Sequence, residues 1–122
     1  VEVVAGAHGF DRLLRESDVV VLTAPETDET RGMIDGDAFA RMRPHAVLIN
    51  VARGSLIVED ALLNALARGT IRGAGLDVFV TEPLPHESPI WGFANVLVTP
   101  HVSGVTDRFW RRETDLDPVS PC

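Results

Sequence analysis

The sequence predicts an α/β fold in which helices alternate with the strands of one open parallel sheet. Short runs of apolar, mostly β-branched residues recur along the chain, segments with helical apolar periodicity stand between them, and glycine or proline marks the turns. This alternation implies right-handed βαβ crossovers, which place neighbouring strands parallel. With 122 residues, 45% of them hydrophobic, the chain has the size of one domain with a buried core.

The first part of the chain predicts a helix followed by a buried strand. Residues 1–4 are either a strand fragment or an extended lead-in. Phe10, Leu13 and Leu14 recur at the i, i+3, i+4 spacing of a short helix with one buried face. Residues 19–22 form a continuous apolar run, which is typical of a parallel strand covered on both faces.

A polar loop and a second helix come next. Residues 25–30 begin with proline and continue with polar side chains only, so they predict a loop. Either Asp35 or Asp37 can cap the following helix, whose apolar side chains fall within residues 38–42, and Pro44 stops it. This helix would connect the first strand to the second.

The second strand and the third helix follow. Residues 46–51 predict a second buried strand. Residues 59–68 predict a helix with acidic residues in its first turn and Arg68 in its last, as the helix dipole favours. Gly69 stands where the chain must leave the helix.

Two further strands and an irregular connection complete the prediction. Residues 73–78 form the third strand and residues 96–98 the fourth. The segment 82–92 between them holds three of the eight prolines, which favours an irregular surface loop. Residues 108–112 could open a helix, but the prolines at 118 and 121 prevent its continuation.

Three polar side chains follow strands at one edge of the predicted sheet: Arg53, Glu82 and His101. Open parallel sheets bind their ligands beyond the carboxyl ends of the strands. A guanidinium can hold an anionic substrate by two parallel hydrogen bonds. An imidazole beside a carboxylate can deliver a proton near neutral pH. The three residues therefore indicate a site for carbonyl chemistry.

Each of these residues also has an ordinary structural interpretation. A lone arginine at a strand end is commonly a surface residue or an ion-pair partner, although Gly54 beside Arg53 would let backbone and ligand approach closely. Glu82 lies in a proline-rich loop, where a solvated carboxylate is common. His101 stands at a strand-to-helix junction, where histidines can cap backbone carbonyls.

Asp77 lies inside the predicted third strand, among apolar residues. A carboxylate buried without partners costs several kcal/mol, so Asp77 must find hydrogen-bond donors or face a cavity. The amide of a cofactor and N–H groups of the protein itself are both suitable donors.

Composition and motifs argue against several other classes. The net charge is −7, and the arginines are scattered among carboxylates rather than gathered into the basic face that nucleic acids require. The single cysteine, Cys122, excludes a disulfide framework and a thiolate metal site, and no histidine pair has zinc-binding helical spacing. No apolar run approaches the roughly 18 residues of a membrane span, so we expect a cytoplasmic protein without membrane or metal. Phosphate-binding G-x-G-x-x-G and P-loop patterns and the G-x-S-x-G elbow are also missing.

Five ordered blocks of the sequence carry a family resemblance. The blocks are Asn50-Val51-Ala52-Arg53-Gly54, Gly73-Ala74-Gly75-Leu76-Asp77-Val78-Phe79, Glu82-Pro83-Leu84-Pro85, Pro89-Ile90-Trp91 and Asn95-Val96-Leu97-Val98-Thr99-Pro100-His101. They closely resemble the D-isomer-specific 2-hydroxyacid dehydrogenases, in the branch of glyoxylate/hydroxypyruvate reductases and phosphoglycerate dehydrogenases. The similarity runs from about Gly9 to Trp110. Five ordered blocks with compatible spacing are far more specific than any single motif.

The resemblance implies the second half of a Rossmann-type doubly wound parallel sheet, lacking the Gly-rich first βα unit. Residues 1–110 would be a partial NAD(P)-binding domain, and residues 111–122 a divergent, disordered tail. The phosphate-binding turn and the substrate domain of the family would lie outside the chain, so we expect a truncated or cut fragment that is inactive alone. Val58 stands where the family usually has a helix-capping aspartate, a change that costs about 1 kcal/mol.

The resemblance also assigns roles to the three strand-end residues. Arg53 would bind and polarise a small 2-keto acid, and His101 would donate a proton to the carbonyl oxygen as hydride arrives from NADH or NADPH. Glu82 would bond to His101 and raise its pKa. The product would be a D-2-hydroxy acid. These roles agree with the physics, because hydride addition develops negative charge on that oxygen and cationic groups stabilise it.

The cofactor in this family is NAD or NADP, and the resemblance carries its contacts to nine positions. Asp77 would contact the nicotinamide carboxamide, and several of the other residues would line the nucleotide through backbone groups. The expected cofactor-binding residues are Ala24, Pro25, Val51, Ala52, Arg53, Asp77, His101, Ser103 and Gly104. Neither the choice between NAD and NADP nor the identity of the keto acid is encoded in these positions.

Two other functions are compatible with the same residues. Some relatives keep this fold and these residues yet serve as NAD-sensing transcriptional corepressors, so a non-catalytic binding module is one alternative. An inactive truncated remnant that retains the motifs by descent is the other. Relatives are commonly homodimers, and we expect the same of the parent protein.

Overall fold

The computed structural model describes residues 2–106 and confirms the α/β class. After an initial helix, four strands are connected by two further α-helices and by two single turns of 3-10 helix at Gly54–Leu56 and Pro89–Gly92. The elements are α1 (Gly6–Glu16), β1 (Val19–Leu22), α2 (Gly36–Arg41), β2 (Val47–Asn50), α3 (Glu59–Arg68), β3 (Gly73–Leu76) and β4 (Val96–Val98).

The four strands form one parallel sheet in the order β1-β2-β3-β4. The pairing places Val19 opposite Val47, and Val47 opposite Gly73. Because the strand order follows the sequence and parallel crossovers are right-handed, α2 and α3 lie on the same face of the sheet. Helix α1 packs against α2, so it lies on that face too. The largest core side chains include Leu14, Leu22, Ile34, Phe39, Leu48, Leu56, Leu62, Leu66, Leu76 and Ile90.

The prediction that the first strand is covered on both faces is wrong. Val20 and Leu22 are buried, whereas Val19 and Val21 are 53% and 50% exposed. Leu97 of β4, on the same side of the sheet, is 69% exposed. Side chains alternate between the two faces of a strand, and all three helices cover only one face. Among residues 2–106, no helix covers the opposite, apolar face.

Several predicted boundaries shift by one or two residues. Strand β2 lacks both predicted end residues, and β3 ends at Leu76 rather than at residue 78. Asp77 therefore follows the strand instead of lying within it. Its backbone N–H still donates to the carbonyl oxygen of Asn50 at 3.0 Å, so the main chain remains attached to β2. The proline-rich loop contains the second 3-10 turn, which begins at its third proline, Pro89.

The helix ends follow the chemistry of their terminal residues. Asp35, and not Asp37, caps α2, because its carboxylate accepts the N–H of Ala38 at 2.9 Å. Helix α3 has the predicted bounds, and Gly69 ends it in the left-handed conformation with φ 67°. Val58 precedes α3 without any side-chain cap, as the sequence indicates.

The predicted domain boundary at residue 110, the helix start at residues 108–112 and the disordered tail at residues 111–122 lie outside the described residues. Within residues 2–106, no helix is both long enough and apolar enough to pass through a lipid bilayer.

Val58→Ser should stabilise the chain, because a serine hydroxyl can accept one of the free N–H groups in the first turn of α3. We expect the free energy of unfolding in urea to rise by about 1 kcal/mol. Val58 is 41% exposed, so little apolar burial is lost. Val58→Ala removes the same side chain without adding a cap and is the matched control. Equal stability of the serine and alanine variants would contradict this account.

Candidate active site

A cavity of about 390 Å³ opens at the carboxyl ends of the strands, and Arg53, Glu82 and His101 all line it. The loop after β1 contributes Glu26 and Arg31 to the same cavity. Parallel strands end at the same edge of a sheet, so short connections deliver residues from distant parts of the sequence to one place. The three residues singled out from the sequence therefore share one cavity.

Asn50, the last residue of β2, shapes the turn that presents Arg53. Asn50 is fully buried, its side-chain N–H₂ donates to the carbonyl oxygen of Arg53 at 2.9 Å, and its Oδ1 accepts the N–H of Ala52 at 3.1 Å. Both bonds replace the strand hydrogen bonds that end here, which satisfies the buried amide. The guanidinium of Arg53 donates to the carbonyl oxygen of Ala52 at 2.7 Å, and the residue is otherwise exposed.

Gly54 allows the Arg53 turn to meet the segment after β3. A Cβ atom at Gly54 would lie 2.0 Å from the carbonyl carbon of Phe79 and 2.4 Å from the nitrogen of Val80. Backbone atoms on both sides would have to move, so only glycine fits this approach. The contact brings the Arg53 turn next to the segment that carries Glu82.

Glu82 and His101 form a hydrogen-bonded pair beside this approach. Glu82 Oε2 lies 2.7 Å from Nδ1 of His101, and Glu82 Oε1 accepts the N–H of Phe79 at 2.9 Å. The bond from His101 lowers the pKa of Glu82 below its ordinary value, and the bond from Phe79 acts in the same direction. A carboxylate that stays ionised keeps the proton on Nδ1 and leaves Nε2 as the ring atom free for chemistry.

The carboxylate of Asp77 binds the chain on both sides of His101. Its Oδ1 accepts the hydroxyl of Thr99 at 2.5 Å and the N–H of Val102 at 2.9 Å. Its Oδ2 accepts the N–H of Ser103 at 2.9 Å. From the sequence, either a cofactor amide or N–H groups of the protein could bind this carboxylate. Within residues 2–106 the protein itself supplies three hydrogen-bond donors.

The environment of Asp77 explains how a buried carboxylate is tolerated. Asp77 is only 3% exposed. Burial alone would raise its pKa, but the hydrogen bonds from Thr99, Ser103 and Val102 outweigh burial and hold the pKa well below the ordinary range. Asp77 is therefore an ionised, fully engaged anchor at the end of β3.

Five of the expected cofactor-binding residues line a second cavity, of about 530 Å³, beyond the ends of β1 and β2. They are Ala24, Pro25, Val51, Ala52 and Arg53. Arg53 and Glu26 line both this cavity and the one that holds His101. Ser103 and Gly104 lie outside the second cavity, and Ser103 contacts Asp77 instead.

Three residues of the site were missed from the sequence: Glu26, Arg31 and Ser55. Glu26 accepts the hydroxyl of Ser55 and pairs with the guanidinium of Arg31, both at 2.6 Å. The Ser55 hydroxyl lowers the pKa of Glu26, and the charges of Arg31 and Arg53 lower it further. The position of Glu26, directly after Pro25 at the end of the first strand, was the available signal.

The sequence also indicated no metal site. Across the described part of the chain, no three histidine, cysteine, aspartate or glutamate side chains gather as metal ligands would.

Fold and site together define the class of protein as an α/β domain of the Rossmann type. It has a parallel sheet with adjoining cavities at its carboxyl edge, one of them holding a histidine–carboxylate pair and an arginine. The family model described as D-isomer specific 2-hydroxyacid dehydrogenase, NAD binding domain, matches residues 2–103. The chain belongs to this family, as the resemblance predicted.

Named relatives agree with this assignment. The chain is 51% identical over 97 residues to a glyoxylate/hydroxypyruvate reductase B of Pectobacterium carotovorum, a match that covers 80% of this chain and 30% of the relative. It is 48% identical to the reductase B of Shigella boydii, with the same coverage. The chain thus spans about a third of the length of these relatives.

Solved structures of the family have the same fold. A D-isomer specific 2-hydroxyacid dehydrogenase from Xanthobacter autotrophicus Py2 superposes with a TM-score of 0.79 at 44% identity, covering 83% of this chain and 34% of that one. A second D-isomer specific 2-hydroxyacid dehydrogenase structure from the same organism, in complex with NADPH and MES, superposes with a TM-score of 0.77 at 46% identity. The match covers 80% of this chain and 31% of that one. An NADPH-dependent glyoxylate/hydroxypyruvate reductase from Sinorhizobium meliloti, in complex with NADP and sulfate, superposes with a TM-score of 0.76 at 41% identity, covering 80% of this chain and 33% of that one.

The lowered pKa values of Asp77 and Glu82 predict that acid destabilises the chain. A carboxylate whose pKa is lower in the folded than in the unfolded state contributes stability above its ordinary pKa of about 4, and loses it as the pH falls. We expect the midpoint of urea unfolding to drop progressively below about pH 4. Asp77→Asn should be less stable than the original chain at pH 7 and should lose part of the acid dependence.

The matched control for this measurement is Glu29→Gln, since Glu29 is exposed and makes no side-chain hydrogen bond to the other described residues. It should keep both the stability and the acid dependence of the original chain. If Asp77→Asn behaves in the same way as Glu29→Gln, the carboxylate of Asp77 is not the anchor described above.

Proposed function

We propose that this chain supplies the proton-donating and substrate-binding edge of a D-2-hydroxyacid dehydrogenase that reduces a small 2-keto acid. The observation that carries the proposal is the shared cavity of about 390 Å³ lined by Arg53, Glu82 and His101. An anion-binding guanidinium and an oriented imidazole facing one cavity are what addition to the carbonyl of a keto acid requires.

The proposed roles follow from the contacts of each residue. Glu82 accepts the Nδ1 proton of His101 over 2.7 Å, so Nε2 is the ring atom that holds the proton destined for the carbonyl oxygen. Arg53 binds the carboxylate of the keto acid through two parallel N–H donors. Its charge also stabilises the negative charge that develops on the carbonyl oxygen.

The second cavity fits part of a nicotinamide cofactor. Its lining of Ala24, Pro25, Val51 and Ala52 offers small side chains and backbone groups to a flat ring and a ribose. Arg53 lines this cavity as well as the one that holds His101, so a cofactor in the former would adjoin a substrate in the latter. The bound cofactor supplies the hydride, and the residues named here orient the keto acid and hold its proton.

The relatives support a choice of substrate class for this proposal. Those with named activities are glyoxylate/hydroxypyruvate reductases, so glyoxylate and hydroxypyruvate are the substrates to test first. Complexes of structural relatives with NADPH and NADP make NADPH the first cofactor to test, beside NADH. A homodimeric parent protein and a cytoplasmic location remain predictions from the sequence.

The catalytic proposal is tested by transplanting residues 2–103 into the Pectobacterium carotovorum reductase B in place of the matching segment, which is 51% identical over 97 residues. The chimaera should oxidise NADPH in the presence of glyoxylate or hydroxypyruvate. His101→Gln should lower kcat by roughly 100-fold or more, because the proton donor is lost. Arg53→Gln should lower kcat/KM by roughly 100-fold, through both a higher KM and a lower kcat, because the anion contact and the charge that stabilises the carbonyl oxygen are lost.

Glu29→Gln, an exposed change in the same loop as Glu26, is the control and should leave both constants unchanged. A chimaera that folds and binds NADPH but turns over neither keto acid would contradict the catalytic role. Cofactor binding without turnover is the behaviour of the corepressor-like alternative. Failure to bind cofactor in a folded chimaera would favour the remnant.

The 122-residue chain alone should show no saturable binding of NADH or NADPH at micromolar concentrations. The phosphate-binding glycine-rich turn is not among its residues, and that turn with its helix N-terminus contributes the anion-binding N–H groups. Titration calorimetry and the fluorescence of the reduced nicotinamide measure this directly. Binding at micromolar strength would show that the edge described here suffices for the cofactor.

A further inference from the structure

We propose that Thr99 is a positioning residue, which holds His101 in its working orientation through the carboxylate of Asp77. The inference rests on the proposed function in one respect: it takes His101 as the proton donor. The hydrogen bonds that hold residues 99–103 in place do not depend on that assumption.

The backbone at both ends of this contact is hydrogen-bonded to the sheet. The N–H of Thr99 donates to the carbonyl oxygen of Leu76 at 3.0 Å, directly after β4. The N–H of Asp77 donates to the carbonyl oxygen of Asn50 at 3.0 Å, directly after β3. Both side chains therefore start from backbone that is hydrogen-bonded to a neighbouring strand, which restricts their motion.

Three donors from one short segment meet on the Asp77 carboxylate. The Thr99 hydroxyl comes from the residue two before His101, and the N–H groups of Val102 and Ser103 come from the two residues after it. His101 lies between these residues but does not itself bind Asp77. The carboxylate of Asp77 therefore fixes the backbone both before and after the histidine.

The backbone of His101 needs such a restraint. Its φ is 56°, in the left-handed region that residues other than glycine rarely adopt. A conformation of this kind persists only where surrounding contacts hold it. Here the ring also meets Glu82 through Nδ1, so a change in the backbone of residue 101 would break the histidine–carboxylate pair.

Among the residues that bind Asp77, Thr99 can be tested by a substitution that removes only its side-chain hydroxyl group. Its hydroxyl supplies one of the bonds to Asp77, and the N–H groups of Val102 and Ser103 supply two others. A side-chain bond from Ser103 also lowers the pKa of Asp77, and none of the variants below alters that residue. Thr99→Val keeps the shape and removes the hydroxyl. Thr99→Ser restores the hydroxyl and removes a methyl group. A positioning role requires the serine variant to recover what the valine variant loses.

The experiment uses the 122-residue chain and needs no turnover, so its outcome is separate from that of the chimaera. Carbon-13 NMR follows the titration of the Glu82 carboxyl, whose low pKa depends first on the bond from His101. Hydrogen exchange follows the N–H groups of Val102 and Ser103. The other charged groups around Glu82 are Asp77 and, across the shared cavity, Arg53, Glu26 and Arg31, and none of the variants alters them.

In Thr99→Val we expect the pKa of Glu82 to rise toward its ordinary value, because His101 leaves its fixed position. The N–H groups of Val102 and Ser103 should exchange roughly tenfold faster. Thr99→Ser should match the original chain in both measurements. Thr70→Val is the matched control, since Thr70 makes no side-chain hydrogen bond to the described residues and lies at the far end of α3.

An unchanged pKa of Glu82 in a folded Thr99→Val chain would overturn the proposal, as would a serine variant that behaves like valine. A purely structural role would lower the stability of the valine variant but leave the pKa of Glu82 in the folded state unchanged. If Thr99→Val does not fold, the original chain and Thr99→Ser still decide the matter. Exchange of the Val102 and Ser103 N–H groups at the rate of an unprotected peptide in those two chains would overturn the proposal as well.

Discussion

Parallel pairing of the four strands is the constraint on which the site depends. It brings every strand to its carboxyl end at one edge of the sheet, so that short connections suffice to assemble a site. Arg53 follows β2, Asp77 follows β3 and His101 follows β4, each within a few residues of the strand end. Had β2, β3 or β4 run antiparallel, its following residues would lie at the opposite edge, and the cavity shared by Arg53, Glu82 and His101 would not exist.

Two buried polar side chains hold the segments after the strands in fixed positions at this edge. Asn50 binds the turn that presents Arg53, and Asp77 binds the segment that presents His101. Both are nearly inaccessible to solvent. Asn50 is satisfied by backbone N–H and C=O groups, and Asp77 by two backbone N–H groups and the hydroxyl of Thr99. A buried polar group without such partners would cost several kcal/mol, so the geometry of these turns and the stability of the edge are linked.

The sequence predicted the elements because local chemistry determines them. Asp35 and Gly69 mark helix ends by capping and by the left-handed conformation, and these effects act within a few residues. The one-sided burial of β1 was not predictable in this way. A continuous apolar run such as 19–22 signals an apolar environment, but which face is covered depends on where all three helices lie.

Some features of the site could also be predicted from local sequence, whereas others depend on the folded path of the chain. The strand-end positions of Arg53, Glu82 and His101 can be read from the apolar runs that precede them, and the structure brings them to one cavity. The contacts of Asp77 required the path of the chain after β4, and those of Glu26 with Ser55 and Arg31 required the fold of the loop after β1. Such pairings join residues more than twenty positions apart or within a loop without periodicity, so no local pattern records them.

The residues that position Arg53 and His101 matter for the proposed reaction as much as these two residues themselves. Proton transfer and anion binding need groups held in place before the charge develops, since reorienting them during the reaction would raise the barrier. Arg53 and His101 are both partly exposed, and exposed side chains sample many orientations. Asn50, Asp77 and Glu82 remove that freedom through hydrogen bonds to backbone and ring. The buried Asn50 and Asp77 and the more exposed Glu82 thus supply the order, and Arg53 and His101 present their polar groups to a substrate.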